Sequence, residues 1–173
     1  MKIARLAAPV AALLLMAGCA TPTGGTAFNV DGVNTSTDAV ETATTGCETL
    51  VEADPGAISG QVAQMLLYGS LADAISQRSG VAITNQDQAK ALAALQGGPL
   101  TKDPDCAVAV NGMARYAAIT GKLGQDKSRE QLRALDVQVN PRYGSWNPAD
   151  GTFTGATGSL SMQDMGQGKV FGG

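Results

Sequence analysis

The 173-residue chain contains no histidine. That absence removes Ser-His-Asp and Cys-His catalysis as usually built, together with His-based zinc sites, and no Ser-x-x-Lys pair supplies a substitute base. Neither a catalytic set nor a metal or organic cofactor is therefore expected. Aromatic residues are also scarce, at 4% of the chain, and 12 Lys+Arg face 15 Asp+Glu for a formal charge of −3. Nucleic-acid binding needs a basic patch that displaces counterions or a cluster of rings that stacks on bases, and neither is present. The apolar run Ala7 to Ala17 falls short of the roughly 20 residues that cross a bilayer as a helix.

That run has another use. It follows Lys2 and Arg5 and leads into Leu15-Met16-Ala17-Gly18-Cys19, small residues before a cysteine, which is the form of a bacterial lipoprotein signal. On this reading residues 1–18 are removed and Cys19 becomes the lipidated first residue, holding the protein to the outer face of a membrane by two or more acyl chains. Loss of Lys2 and Arg5 leaves 155 residues with a formal charge of −5, enough chain for one domain. Of the three cysteines, Cys47 and Cys106 then remain as a pair in an oxidising compartment, and a disulfide is expected. A redox-active pair would call for Cys-x-x-Cys spacing or a basic neighbour, and the sequence offers neither.

Residues 19–26 read as a Pro/Gly-containing tether, 27–150 as the domain and 151–173 as a Gly/Ser/Thr-rich disordered tail. Ala27 to Val33 alternates around Asp31-Gly32, a short strand and turn leading into a helix over about Thr37 to Ala53 that Pro55 would stop. Ile58 to Gln77 is the strongest helical segment, with apolar residues on more than one stripe and Gly80 behind it. A Thr84-x-x-Asp87 capping pattern opens a shorter helix to about Leu95, and further helices are expected over Pro104 to Ile119 and Lys127 to Ala134. The period then changes from helical to two, as Leu135, Val137 and Val139 alternate with polar residues. The fold expected is thus mostly α, with a small antiparallel β element pairing the N-terminal strand with this C-terminal one.

Asp103 and Asp105 could hold a cation, but flanking Pro104 they suit an acidic helix start better. Arg142, Tyr143 and Trp146 are read as an edge cation and core-closing rings rather than a ligand site. Gly166-Gln167-Gly168-Lys169 lacks the upstream Gly and the following Ser/Thr of a phosphate loop. Met65, Leu67, Tyr68, Leu71 and Ile75 have two readings: core burial, or a face of flexible apolar side chains that accepts varied client segments.

Ala27 to Val33, the helical body and Val137-Gln138-Val139-Asn140-Pro141-Arg142-Tyr143-Gly144-Ser145-Trp146, behind the lipobox, resemble the SurA N-terminal-domain lipoproteins, chaperone-like relatives of the SurA and PrsA foldases, over residues 27–148. The resemblance implies that the N-terminal strand joins one that follows the helices, and that an apolar helical cradle holds unfolded or partly folded exported chains. The histidine-using parvulin isomerase domain of such foldases has no counterpart here, so isomerase activity is not expected. The function expected is a membrane-anchored, non-enzymatic chaperone-like module; the alternative is a structural or adaptor lipoprotein binding one cell-envelope partner.

Overall fold

The computed structural model describes residues 24–52 and 55–156. Cys19, the leader before it and residues 157–173 of the expected tail lie outside them. The described chain is mostly helical with small antiparallel β elements, as expected. Strand β1 (Thr26–Val30) turns through Asp31 and Gly32 into β2 (Val33–Ser36). Both turn residues have positive φ, +50° and +85°, so the two-residue connection follows the natural twist of a hairpin. A register shift between Thr26 and Phe28 leaves Ala27 and Phe28 both buried, although neighbours in a regular strand face opposite ways.

Strand β3 (Val137–Val139) pairs antiparallel on the other side of β1, with Phe28 opposite Val139 and Val30 opposite Val137. The order β2-β1-β3 puts the N-terminal strand in the centre of the sheet, paired with a strand from beyond the helices. Asp31 secures this junction: its carboxylate takes a pair of hydrogen bonds from Arg78, the shorter at 2.6 Å, and another from the Asp136 N–H at 2.9 Å.

Helix α1 (Thr37–Glu48) is capped by Ser36 and ends earlier than the expected Ala53. Near its end Thr49 Oγ1 donates to the Gly46 carbonyl at 2.7 Å, a local bond of the kind that competes with continued helix. Pro55 opens α2 (Pro55–Ser79) in addition to standing beyond α1; its fixed φ suits a first helical turn, where a missing N–H costs nothing. Thr84 and Asp87 form the expected capping box at the start of α3 (Asn85–Ala94), and Asp103 caps α4 (Pro104–Leu123) rather than standing as a cation ligand. Gly124 then reverses the chain into α5 (Gln125–Ala134).

The reading of a tail from residue 151 is corrected by the strands β4 (Gly144–Asn147) and β5 (Thr152–Gly155), which pair antiparallel with Trp146 opposite Phe153. Both rings pack against the main core, so burial rather than composition orders this stretch.

Helix α2 is buried on several sides, which explains its lack of one clean apolar stripe. It crosses α4 where Gly69 meets Gly112: a Cβ on Gly112 would lie 2.9 Å from the Met65 carbonyl oxygen. Only backbone-to-backbone approach fits there. One core gathers Phe28, Val30, Leu67, Leu71, Ile75 and Ile119, and a second surrounds the Cys47–Cys106 disulfide with Ala43, Ile58, Val62 and Val110. The disulfide is the one expected. It joins α1 to the start of α4 across a sequence separation of 59 residues.

Candidate functional site

Three of the five residues read as a client-binding face belong to the core. Leu67, Leu71 and Ile75 are each 0% exposed, so in this conformation they hold the sheet and helices together and offer no surface. Met65 is half-buried against the disulfide-end core, and Tyr68 is half-buried against Tyr116. The five therefore do not converge on one groove. Helical spacing was compatible with burial or exposure, and the sheet and α4 covered the stripe that Leu67, Leu71 and Ile75 share. Among the described residues the exposed large hydrophobics are single side chains in different parts of the chain, Val33 on β2, Val51 between α1 and α2, and Val108 on α4. No helix among them is long and apolar enough to cross a membrane, and no group of three potential metal ligands stands together.

Arg142, Tyr143 and Trp146 take structural positions. The Arg142 guanidinium lies 5.5 Å from the Tyr143 ring centroid and pairs with Glu41, while Tyr143 and Trp146 pack on the main core.

Among the described residues, a shallow, open notch of about 280 Å³ lies where the end of α4, helix α5 and the β4–β5 turn meet. Its walls follow from local structure. Ser128 is buried; its hydroxyl lies 2.7 Å from the Gly124 carbonyl within its own turn and 3.4 Å from the Thr120 carbonyl of α4, so it sits where the first turn of α5 meets the end of α4. Gly151 has φ +69°, and a Cβ there would come 2.7 Å from Leu132 Cβ, so the hairpin turn lies directly on α5. Asp150 closes that turn: its carboxylate accepts from Asn147 Nδ2 at 3.1 Å, from the Thr152 N–H at 3.2 Å and from Thr152 Oγ1 at 2.7 Å.

Tyr116 contributes an aromatic wall. It stacks on Tyr68 with centroids 4.6 Å apart, and Gln64 Nε2 donates to the Tyr68 hydroxyl at 3.2 Å. Burial, with a smaller push from Tyr68, raises the Tyr116 phenol to about 12, so it stays neutral at physiological pH. Leu132 adds an aliphatic surface, while Gln125 and Arg129 stand exposed at the rim. The notch offers an apolar wall of one ring and one leucine beneath a cationic, hydrogen-bonding edge. It suits binding of a side chain or small polar group.

No family model, curated protein or solved structure matches this chain.

Tyr68 links the expected site to the observed one, because it backs the ring that lines the notch. Tyr116, Ser128, Arg129, Leu132 and Gly151 were not singled out from sequence. A signal for part of the set was available: Ser128 and Leu132 are four apart on α5, and Asn147-Pro148-Ala149-Asp150-Gly151 before an alternating Thr-Phe-Thr is a hairpin pattern.

Proposed function

We propose that this protein is a lipid-anchored extracytoplasmic binding module that holds one defined cell-envelope partner through the α4–α5–hairpin notch, with no catalytic chemistry of its own. The observation that carries this reading is the contrast between α2 and the notch. The large apolar side chains of α2 that a client would need, Leu67, Leu71 and Ile75, are fully buried, whereas the notch is small, bounded by internally hydrogen-bonded turns and charged at its rim. General holdases need plastic apolar surface, while a compact, partly charged site suits a specific partner. The lipobox at Cys19 supports the address, and the buried disulfide is in keeping with an oxidising compartment.

A chaperone-like role, the function that the SurA resemblance implies, would require α2 to separate from the sheet and expose Leu67 and Leu71. In-cell photocrosslinking from position 125 distinguishes the two. A single discrete adduct, absent when the crosslinker stands at Val108, supports the adaptor reading. A broad ladder of adducts supports the chaperone, and no adduct overturns the notch as a binding surface. Cys19→Ala tests the anchor: the variant is expected in the soluble fraction, and unchanged membrane retention overturns lipidation at that residue.

A further inference from the structure

Among the described residues two buried side-chain polar atoms have no hydrogen-bond partner, Tyr143 Oη and Trp146 Nε1, and both belong to one small unit of the chain. That unit is the β4–β5 hairpin with Tyr143 at its base, where the Ala156 N–H donates to the Tyr143 carbonyl at 2.9 Å. Its strands pair only with each other and stand outside the three-stranded sheet. Among the described residues no hydrogen bond or ion pair joins residues 144–156 to any residue before Tyr143. The rest of the domain is tied differently: Arg78 bridges α2 to Asp31 and to the Ala134 carbonyl, Arg115 joins α4 to Asp73 on α2, and Lys122 reaches Asp87 and the Ala82 carbonyl.

The hairpin is therefore held down by apolar packing alone. Trp146 and Phe153 rest half-buried on the main core, Gly151 lies on Leu132, and Tyr143 is 4% exposed. Docking takes the Tyr143 hydroxyl and the Trp146 indole N–H out of water with no hydrogen bond in exchange, and lifting the hairpin returns both to solvent. A two-stranded hairpin is marginal by itself in water, so once lifted it also gives up its own ladder. The joint is well defined. Asn140 is fastened to β1, its N–H donating to the Ala27 carbonyl at 2.8 Å and its Nδ2 to the Thr26 carbonyl at 3.1 Å. Beyond it Pro141 and Arg142 are exposed, and the Arg142–Glu41 pair is a solvent-facing one of little strength.

We propose that residues 143–156 form a flap that hinges at residues 141–142, opens as a unit far more often than the domain unfolds, and gates the notch. Asp150, Gly151 and Thr152 make the hairpin side of the notch, whereas Tyr116, Ser128 and Leu132 belong to α4 and α5. The notch therefore exists only while the flap is down. A partner that fills it touches both sides, binds the closed form and holds it closed. The gating rests on the reading of the notch as the partner surface; the opening does not.

Hydrogen exchange of the intact, disulfide-bonded chain in rising, sub-denaturing urea tests the opening with no partner present. Amides paired between β4 and β5 should exchange at least about a hundredfold faster than those of β1 and α2, and with little dependence on urea, because a small unit exposes little surface. Hairpin amides as slow and as urea-sensitive as those of β1 overturn the flap. Tyr143→Phe keeps the ring and removes the stranded hydroxyl, so it should slow hairpin exchange about fivefold or more; faster exchange overturns that hydroxyl as a cause of opening. Phe153→Asp should lift the flap, leaving hairpin amides unprotected and helical circular dichroism unchanged. Loss of the helical signal instead makes the hairpin part of the cooperative core and overturns the flap. With the flap lifted, the adduct from position 125 should disappear, and its persistence overturns the gating while leaving the notch reading intact. No adduct in the parent removes the notch reading and the gating together, and the flap then stands or falls on exchange alone.

Discussion

Reducing Cys47–Cys106 should destabilise the domain by about 4 kcal/mol, the chain-entropy value for a closed loop of this size. The structure indicates where the loss arises. Gly46 lies so close to the start of α4 that a Cβ on it would stand 2.9 Å from the Cys106 nitrogen, and Ala43, Val62 and Val110 pack around the cysteines. These contacts hold α1 on α4 without the bond, so reduction should leave the native state nearly unchanged and act by releasing the unfolded one. For a domain of this size the loss corresponds to a drop of about 12 °C in melting temperature. Urea unfolding with and without reductant, followed by the emission of Trp146, the single tryptophan, measures it. Native emission should coincide in the two forms, and the denaturant slope should rise with reduction because the freed chain expands. A loss under about 1 kcal/mol, or a shift in native emission before unfolding, would refute the argument that the staple acts on the unfolded chain.

Other perturbations probe the remaining parts. Gly112→Ala should cost about 1–3 kcal/mol by forcing α2 and α4 apart, whereas Gly121→Ala, further along α4 with nothing within 4 Å of the added methyl, should stabilise by about 0.5–1 kcal/mol; paired denaturation curves decide it. The phenol of Tyr116, pushed up to about 12, favours the fold in its neutral form, so its contribution is complete below pH about 10 and lost as pH rises through about 12. Tyr116→Phe should remove the high-pH phenolate step in an ultraviolet titration and move alkaline unfolding upward. Hydrogen bonds from Lys122 and Thr84 hold Asp87 well below the usual carboxylate range, so its stabilisation is present above about pH 4 and fades as pH falls below that. Asp87→Asn should lower the melting temperature at neutral pH, with the difference from the parent narrowing in acid.

Much of the fold was legible in short patterns because those patterns act locally. The Thr84/Asp87 capping box, the Asp31-Gly32 turn and the change to period two at Leu135 each satisfy their requirements within a few residues, and each appears where expected. Errors arose where a local signal had two outcomes. Pro55 forbids helix before it and favours helix after it, and the Gly/Thr-rich stretch from Gly151 to Gly155 resembles a tail until Phe153 finds Trp146 and the core. The candidate site was least legible. Met65, Leu67, Tyr68, Leu71 and Ile75 share a helix but not an environment, and the notch draws on residues from Tyr116 to Thr152 whose proximity no local spacing encodes.

The sequence by itself determined the helices and the first and third strands, the absence of histidine, the expectation that Cys47 pairs with Cys106 and the overall excess of acid, because composition and short-range periodicity are properties of the chain alone. Tertiary structure decided which apolar face was covered and where β4 and β5 formed. Those outcomes depend on packing between residues distant in sequence: Leu67 is interior because β1 and α4 lie against α2, and β5 is ordered because Phe153 meets Trp146 and the core.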